Sequence, residues 1–403
     1  MNSLTTQIAG GVTAPRGFRA TGVHAGIKAD RPDMAMLQSE TPAVVAGVFT
    51  TNRIQAAPVL LCRQRLTSHC GQAIVINSGN ANACTGEEGI RNADAMARLT
   101  AQALGLDESL VYVCSTGTIG RPMPMDKIEH GIHLAAQQLT SDGGAAAAQA
   151  IMTTDTRPKQ CAAQILIDNT LVTIGGMAKG AGMIHPNMAT LLAFLTTDAA
   201  VEAGALQGAL KKAVDATLNA ITIDGDTSTN DTVLCLANGV AGNTPLSARH
   251  KGWKKFTAAL TDVCQQLAIS IVKDGEGATK MATITVKGAP TVRAADKIAR
   301  TVANSPLVKT SWFGADPNWG RVICAVGYSG VPVDPAKIDI AFNGQYAVKQ
   351  GQPAGLSIDV LHEMLTHPEF TLEIDVHMGR ASRTVYSCDF SDKYVEINAS
   401  YMT

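Results

Sequence analysis

The chain has 403 residues and a formal net charge of −1, so no basic excess favours binding to nucleic acid or to an anionic membrane. Its 46% hydrophobic residues suffice for a large core, but the longest apolar runs are far too short to span a bilayer. The N-terminal segment has neither the charged nor the apolar region of a signal peptide, and nine scattered cysteines without a Cys-x-x-Cys pair are typical of reduced thiols. These features predict a cytoplasmic protein with no membrane or nucleic-acid partner.

Strand-like and helix-like segments alternate in the first half of the chain. Runs of apolar and β-branched residues predict strands at 43–49, 73–77 and 110–114. Helical spacing of apolar residues predicts helices at 91–104 and 144–152. The second and third strands lead into polar, glycine-containing segments, 78–82 and 115–120, which are predicted loops.

The second half continues the same alternation. Apolar residues on one face predict helices at 199–220 and 256–267, and an alternating pattern predicts a strand at 282–286. A turn around 312–320 is followed by further strands, and no internal repeat or long linker is visible. The whole pattern predicts a compact α/β protein built in layers.

Thr190 ends the most informative segment, 179–190, which is glycine-rich, then turn-forming, and is followed by an apolar run, 191–195. A threonine hydroxyl becomes a nucleophile when a free α-amine on the same residue acts as its base, and that amine titrates at about 7.7–8.0. Attack of Thr190 Oγ on the carbonyl of Ala189 would break the peptide bond and give an ester with a free Thr190 amine. Water would then hydrolyse the ester and release a new N-terminus at Thr190. On Thr190 alone, the plainer interpretation is favoured: a β-branched residue suits the start of a strand.

Other polar positions offer groups that could serve chemistry. Thr116 and Gly117 follow a predicted strand and provide a hydroxyl and an approachable backbone amide, the donors that an oxyanion needs, although a plain turn explains them more simply. Lys179 could bind a carboxylate and Glu276 a cationic amine, but a solvated charge is the plain interpretation of each. Thr153 is a polar residue with no evident local role.

Two segments resemble metal sites but have the wrong pattern. His362 and His367 are one residue further apart than the His-Glu-x-x-His zinc motif requires, so we expect only the end of a surface helix there. Segment 224–235 resembles a calcium loop, but it lacks the glycine at the sixth position and the glutamate at the twelfth. We therefore expect no metal site.

Seven segments together resemble a known family. They occur, in the family's order, at 47–52, 77–82, 115–117, 179–190, 226–231, 274–280 and 316–321. Over nearly its whole length the chain resembles the ornithine acetyltransferase family, also called arginine-biosynthesis bifunctional glutamate N-acetyltransferase. His185 lies outside the family's pattern, and no departure falls on a residue assigned to catalysis.

The resemblance implies an α/β (α+β) fold of layered helices and sheets, similar in layout to N-terminal-nucleophile hydrolases but separate in connectivity. It also implies self-cleavage between Ala189 and Thr190 into an α chain, 1–189, and a β chain, 190–403. The two chains stay together, and two such pairs form a heterotetramer. No metal or organic cofactor is required.

The resemblance also assigns site residues. Thr190 matches the nucleophile, while the Thr116 hydroxyl and the Gly117 amide match the oxyanion hole. The residues that match the substrate site, besides Thr190, are Thr153, Lys179, Glu276, Asn398 and Thr403. Thr153 is chosen over Thr154 with an uncertainty of one residue, and the last two belong to a C-terminal tail that folds into the family's active site.

The implied reaction is ping-pong transfer of an acetyl group from N2-acetyl-L-ornithine to L-glutamate through acetyl-Thr190, the recycling step of arginine biosynthesis. Whether acetyl-CoA is also a donor stays open, because the bifunctional members share the same motifs. An N-terminal-nucleophile amidohydrolase or aminopeptidase is the alternative, since it would use the same nucleophile with water as acceptor. A non-catalytic ligand-binding protein with a glycine-rich loop is the third class.

Overall fold

A computed structural model describes residues 5–185 and 191–400 of the chain. Ala189, Thr190 and Thr403, three of the predicted site positions, lie outside the described residues. The chain separates into two compact units. The first contains the described residues up to 219 together with 226–271, and the second contains 220–225 and 272–400. Each unit has its own sheet and its own apolar core.

The first unit is built on a mixed sheet of nine described strands. They are β1 (Thr6–Ile8), β2 (Phe18–Val23), β3 (Met34–Phe49), β4 (Cys70–Asn80), β5 (Val111–Thr118), β6 (Lys159–Ile167), β7 (Thr170–Lys179), β8 (Leu192–Thr197) and β9 (Thr232–Ala237). Their order is β1-β6-β7-β8-β9-β3-β4-β5, with β2 also paired to β3. Two pairs, β4 with β5 and β8 with β9, are parallel, and the others are antiparallel.

Helices cover both faces of this sheet. They are α1 (Ala57–Arg65), α2 (Gly86–Leu104), α3 (Met125–Gln137), α4 (Gly144–Ala150), α5 (Ala203–Ala216) and α6 (Trp253–Lys273). Because successive strand residues point to opposite faces, Ile74 and Ile76 pack into one core with α4, whereas Ala73 and Val75 pack into another with α2 and α3. The sheet is therefore the middle layer of this unit.

The second unit has a smaller sheet covered by helices. Its strands are β10 (Met281–Ala289), β11 (Asp339–Phe342), β12 (Gln345–Lys349), β13 (Gln352–Pro353), β14 (Glu369–Asp375) and β15 (Ala381–Cys388), in the order β13-β12-β11-β14-β10-β15. Its helices are α7 (Val292–Ala303), α8 (Pro306–Phe313), α9 (Trp319–Gly327), α10 (Ile358–Thr366) and α11 (Asp392–Ser400). Buried residues of α7 to α10 share one core with the strands, so this unit is layered as well.

The predicted strands and the layered α/β fold are confirmed. The predicted helices are also present, but the one predicted at 199–220 is shorter, because α5 covers only Ala203–Ala216 and Leu218–Ala220 form a 3-10 turn. Two predicted loops are partly wrong, because β4 extends to Asn80 and β5 extends to Thr118. The two strands pair in parallel over these polar residues, with Ser78 opposite Thr116 and Gly79 opposite Gly117. Pairing with a distant strand therefore overrides the local preference of glycine and asparagine for turns. The turn predicted around 312–320 is confined to the short connection between α8 and α9.

Membrane-spanning helices and metal clusters are both missing from the described ranges. No helix there is long and apolar enough to cross a membrane. The nine cysteines, all of which fall within those ranges, are free thiols. His362 lies in α10 and His367 directly follows it, as predicted for a helix end. No group of three or more His, Cys, Asp or Glu side chains among the described residues is arranged to hold a metal ion.

Candidate active site

The end of β5 presents the two predicted oxyanion residues. Thr116 is 5% exposed, and Gly117 has a φ of +132°, which side-chain-bearing residues rarely adopt. A Cβ atom on Gly117 would lie 2.4 Å from the carbonyl carbon of Gly79 and 2.6 Å from the amide nitrogen of Asn80. Only glycine allows this close approach of β4 and β5. The backbone of Gly117 is therefore held in a fixed position against β4.

Lys179 and Thr153 are connected through a buried carboxylate, Asp155. One oxygen of Asp155 accepts hydrogen bonds from the Lys159 ammonium at 2.6 Å and the Gly180 amide at 2.7 Å, and the other accepts from the Thr153 amide at 3.0 Å. Burial opposes ionisation of Asp155, but the charges of Lys179 and Lys159 and the hydrogen bonds outweigh it and lower its pKa to about 2. The structure thus brings two predicted substrate residues, Thr153 and Lys179, to one ionic cluster.

A second buried carboxylate, Asp231, lies beside the described end of the segment that contains Thr190. Its Oδ1 accepts a hydrogen bond of 2.8 Å from the amide of Leu191, the residue that directly follows Thr190. Burial raises the pKa of Asp231 well above its ordinary value, although the Leu191 amide and the Lys179 charge lower it in part. Lys179 therefore lies close enough to act electrostatically on both Asp155 and Asp231.

Two cations in the connection between β2 and β3 hold the segment that contains Thr153. The Lys28 ammonium donates to the Met152 carbonyl at 2.6 Å, and the Arg31 guanidinium donates to the Thr153 carbonyl at 2.6 Å. Burial and the neighbouring positive charge of Arg31 lower the pKa of Lys28 to about 8. Arg31 thus holds Thr153 by its backbone carbonyl, and Lys28 holds the residue before it.

Glu276 and Asn398 are brought together in the second unit. The Asn398 side-chain amide donates a hydrogen bond of 2.7 Å to a carboxylate oxygen of Glu276, which is 7% exposed. The turn that presents Glu276 continues into Gly277, whose φ is +69° and whose added Cβ would lie 2.6 Å from the amide nitrogen of Tyr394 in α11. The structure thus brings two predicted substrate residues, Glu276 and Asn398, into direct contact.

Several residues of this region were not among the predicted site residues. They are Lys28, Arg31, Asp155, Lys159, Asn230 and Asp231. Asn230 and Asp231 do belong to the segment 226–231 that supports the family resemblance, so a signal for them existed. Lys28 and Arg31 lie in a short stretch dense in charge between two strands, but their partners are more than 120 residues away along the chain. No local pattern predicts such contacts.

Comparison with known proteins agrees with the motifs. The model of the ArgJ family matches residues 19–403, nearly the whole chain. The chain belongs to the ArgJ family. This membership confirms the resemblance to ornithine acetyltransferases and the predicted enzyme class, an acyltransferase.

Individual relatives are similar to this chain over nearly their whole length. The arginine biosynthesis bifunctional protein ArgJ of Symbiobacterium thermophilum is 51% identical over 399 residues, which cover 98% of this chain and 99% of the relative. The crystal structure of ArgJ from Bacillus halodurans matches with a TM-score of 0.50 and 43% identity, over 52% of this chain and 98% of that chain. The structure of a Mycobacterium tuberculosis ornithine acetyltransferase complexed with ornithine matches with a TM-score of 0.43 and 46% identity, over 45% of this chain and 98% of that chain.

Proposed function

We propose that the protein transfers an acetyl group from N2-acetyl-L-ornithine to L-glutamate in arginine biosynthesis, with Thr190 as nucleophile. The observation on which the proposal rests is the placement of Thr116, Gly117 and Lys179 in one unit with β8. The first described residue before that strand, Leu191, directly follows Thr190. Thr116, Gly117, Lys179 and the residue that follows Thr190 thus belong to one unit, which supports the proposal.

The first half-reaction forms the acetyl-enzyme. Thr190 Oγ gives its proton to the α-amine of the same residue as it attacks the acetyl carbonyl carbon. The Thr116 hydroxyl and the Gly117 amide stabilise the negative charge on the oxygen. When the tetrahedral intermediate collapses, the carbon–nitrogen bond breaks, the proton passes to the departing amine, and ornithine leaves.

The second half-reaction reverses the roles of amine and ester. The neutral α-amine of glutamate attacks the acetyl-Thr190 carbonyl, and the same two donors stabilise the oxyanion. The carbon–oxygen bond then breaks, and the amine proton returns to Thr190 Oγ by way of its α-amine. We assign Lys179 to the carboxylate that donor and acceptor share, Thr153 to hydrogen bonding with the substrate, and Glu276 with Asn398 to cationic groups.

The mechanism requires a free amine on Thr190, so the proposal includes cleavage after Ala189 into chains of residues 1–189 and 190–403. The half-length match to the Bacillus halodurans protein supports this, because 52% of this chain covers 98% of that one. A shortened polypeptide is what a cut near the middle of a precursor would give. The proposal further includes assembly of two α and two β chains in the cytoplasm, and a substrate contact by Thr403 at the C-terminus.

The intact mass of the purified protein tests the cleavage and the acetyl-enzyme together. In denaturant we expect two polypeptides, the second beginning at Thr190, and incubation with N2-acetylornithine alone should add one acetyl group to that second chain. Addition of glutamate should remove the acetyl group and yield N-acetylglutamate. The matched Thr190→Ala variant should remain one chain and acquire no acetyl group.

Two outcomes would contradict the proposal. A single uncut chain in a fully active preparation would mean that Thr190 has no free amine and that another group acts as base. Release of acetate at the same rate with and without glutamate would favour the amidohydrolase alternative. Substituting acetyl-CoA for N2-acetylornithine in the same mass measurement decides whether a second acetyl donor is accepted.

A further inference from the structure

The backbone of Leu191 is held on both sides by one short segment, residues 230–232. Its amide donates to Asp231 Oδ1 at 2.8 Å, and its carbonyl accepts from the Thr232 amide at 3.2 Å. Asp231 is 1% exposed, and its Oδ2 is buried without a hydrogen-bond partner among the residues that the structure describes. The residue next to the proposed nucleophile is therefore fixed by a buried carboxyl group through a single one of its oxygens.

The neighbouring Asn230 holds the proposed oxyanion strand. Its side-chain amide donates to the Ser115 carbonyl at 2.9 Å and to the Ala81 carbonyl at 2.6 Å. Ser115 directly precedes Thr116, so one hydrogen bond connects Asn230 to the residue beside the oxyanion donors. The backbone amide of Asn230 in turn donates to Ser228 Oγ at 3.0 Å, which fixes the backbone that carries this side chain.

We propose that Asn230 and Asp231 are positioning residues that set the distance between the Thr190 nucleophile and the Thr116–Gly117 oxyanion donors. Asp231 accepts a hydrogen bond from Leu191, the residue after the nucleophile. Asn230 donates a hydrogen bond to Ser115, the residue before Thr116. Because the two are adjacent in sequence, their spacing is set by a single peptide unit. This proposal deepens the acetyl-transfer proposal and rests on it.

The opposite hydrogen-bonding roles of the two residues suggest a pair of isosteric substitutions. Asp231→Asn keeps an oxygen that can accept from Leu191, whereas Asn230→Asp replaces a donor to two carbonyls by a carboxylate that cannot donate. Both changes preserve shape and volume. A role in folding alone predicts a changed melting temperature but an unchanged kcat for the folded fraction of either variant, whereas positioning predicts a lower kcat for folded Asn230→Asp only.

The experiment measures three quantities for each variant: the fraction cleaved after Ala189, kcat and KM for acetyl transfer, and the melting temperature. We expect Asn230→Asp and Asp231→Ala to lower kcat and the cleavage rate on the order of 10²-fold with little change in KM, because misplaced reacting groups act on the transition state. Asp231→Asn should stay within about tenfold of wild type, the scale of one altered hydrogen bond. Should Asn230→Asp not fold, Asn230→Ser takes its place, since it keeps a single, shorter donor.

Asp198→Ala is the matched control. Asp198 is also a buried acceptor of a backbone amide, that of Thr173 at 2.8 Å, but it lies just beyond the opposite end of β8. We expect this variant to lower the melting temperature without changing the cleavage fraction or kcat of the folded protein.

Failure of the positioning roles and failure of the acetyl-transfer proposal would give different results. If wild type is neither cleaved nor acetylated, the acetyl-transfer proposal fails first. If wild type behaves as expected but Asn230→Asp matches it, or Asp231→Asn is as impaired as Asp231→Ala, the positioning roles are wrong. In the last case Asp231 would act through its proton and not as an acceptor.

Discussion

At position 117, the backbone conformation and the neighbouring strand permit only glycine. Its φ of +132° and its position against Gly79 and Asn80 leave no space for a side chain. The same close approach brings the polar groups of two parallel strands to one place. Gly117, which no hydrophobic pattern indicates, therefore determines how closely β4 and β5 approach at the proposed oxyanion donors.

Substituting Gly117 should abolish this arrangement. We expect Gly117→Ala to lower kcat for acetyl transfer on the order of 10²–10³-fold, because the added methyl group displaces the amide that we propose as an oxyanion donor. Gly120→Ala is the control: Gly120 also has a positive φ, +76°, but an added Cβ would meet nothing within 4 Å. Near-normal turnover by Gly117→Ala would show that its amide is not an oxyanion donor.

At the scale of secondary-structure elements, Asp155 connects the start of β6 to the end of β7. It binds Lys159 in the first of these strands and the amide of Gly180, which directly follows the second. Neighbouring strand ends are thereby held by an ionic contact that is sheltered from water, since both side chains are at most 1% exposed. Such a contact is destabilising if only one partner remains charged.

The depressed pKa of Asp155, about 2 against an ordinary 3.8, predicts acid sensitivity. The folded state binds this proton less readily than the unfolded state. Ionised Asp155 therefore contributes about 2 kcal/mol to the free energy of unfolding above pH ~4, and this contribution is lost as the pH falls towards ~2. Urea unfolding at several acidic pH values should give a shallower decline for Asp155→Asn than for wild type. The exposed Asp142→Asn serves as control, and identical slopes for all three proteins would contradict the assignment.

The elements were predictable where local patterns decide them, and much of the site was not. The apolar run 73–77 predicts its strand, but the extension of β4 to Asn80 depends on pairing with a strand far along the chain. The bond from Asn230 to Ser115 joins residues 115 positions apart, and no spacing rule indicates such a donor. Thr116, Gly117 and the 226–231 segment were indicated only by motifs shared with a known family, because local propensity and spacing carry no information about contacts between distant residues.

At the scale of the whole molecule, each of the two units contains predicted site residues of its own. Thr116, Gly117, Thr153 and Lys179 belong to the first, whereas Glu276 and Asn398 belong to the second. This last pair joins a turn after α6 to α11, the last described helix. The C-terminal part of the chain therefore contributes to the same small group of polar residues as the 274–280 segment.

A C-terminal role predicts an asymmetry between the two chain ends. Extra residues fused after Thr403 should raise KM or lower kcat for acetyl transfer, because they would interfere with the proposed substrate contacts of the tail. The same residues fused before Met1 are the matched control and should leave both constants near those of the unfused protein. Equal activity of the two fusions would count against a C-terminus in the active site.

The antiparallel pairing of β7 with β8 spans the proposed cleavage site, from Lys179 opposite Leu192 to Ile174 opposite Thr197. In an uncut chain these strands meet at the small entropic cost of closing a short loop. After a cut, the same pairing would need an encounter between two molecules, so refolding would depend on protein concentration. A cleaved enzyme of this kind would fold before cleavage, as a single chain, and would not readily refold afterwards. The half-life of its folded state would then depend on its unfolding rate.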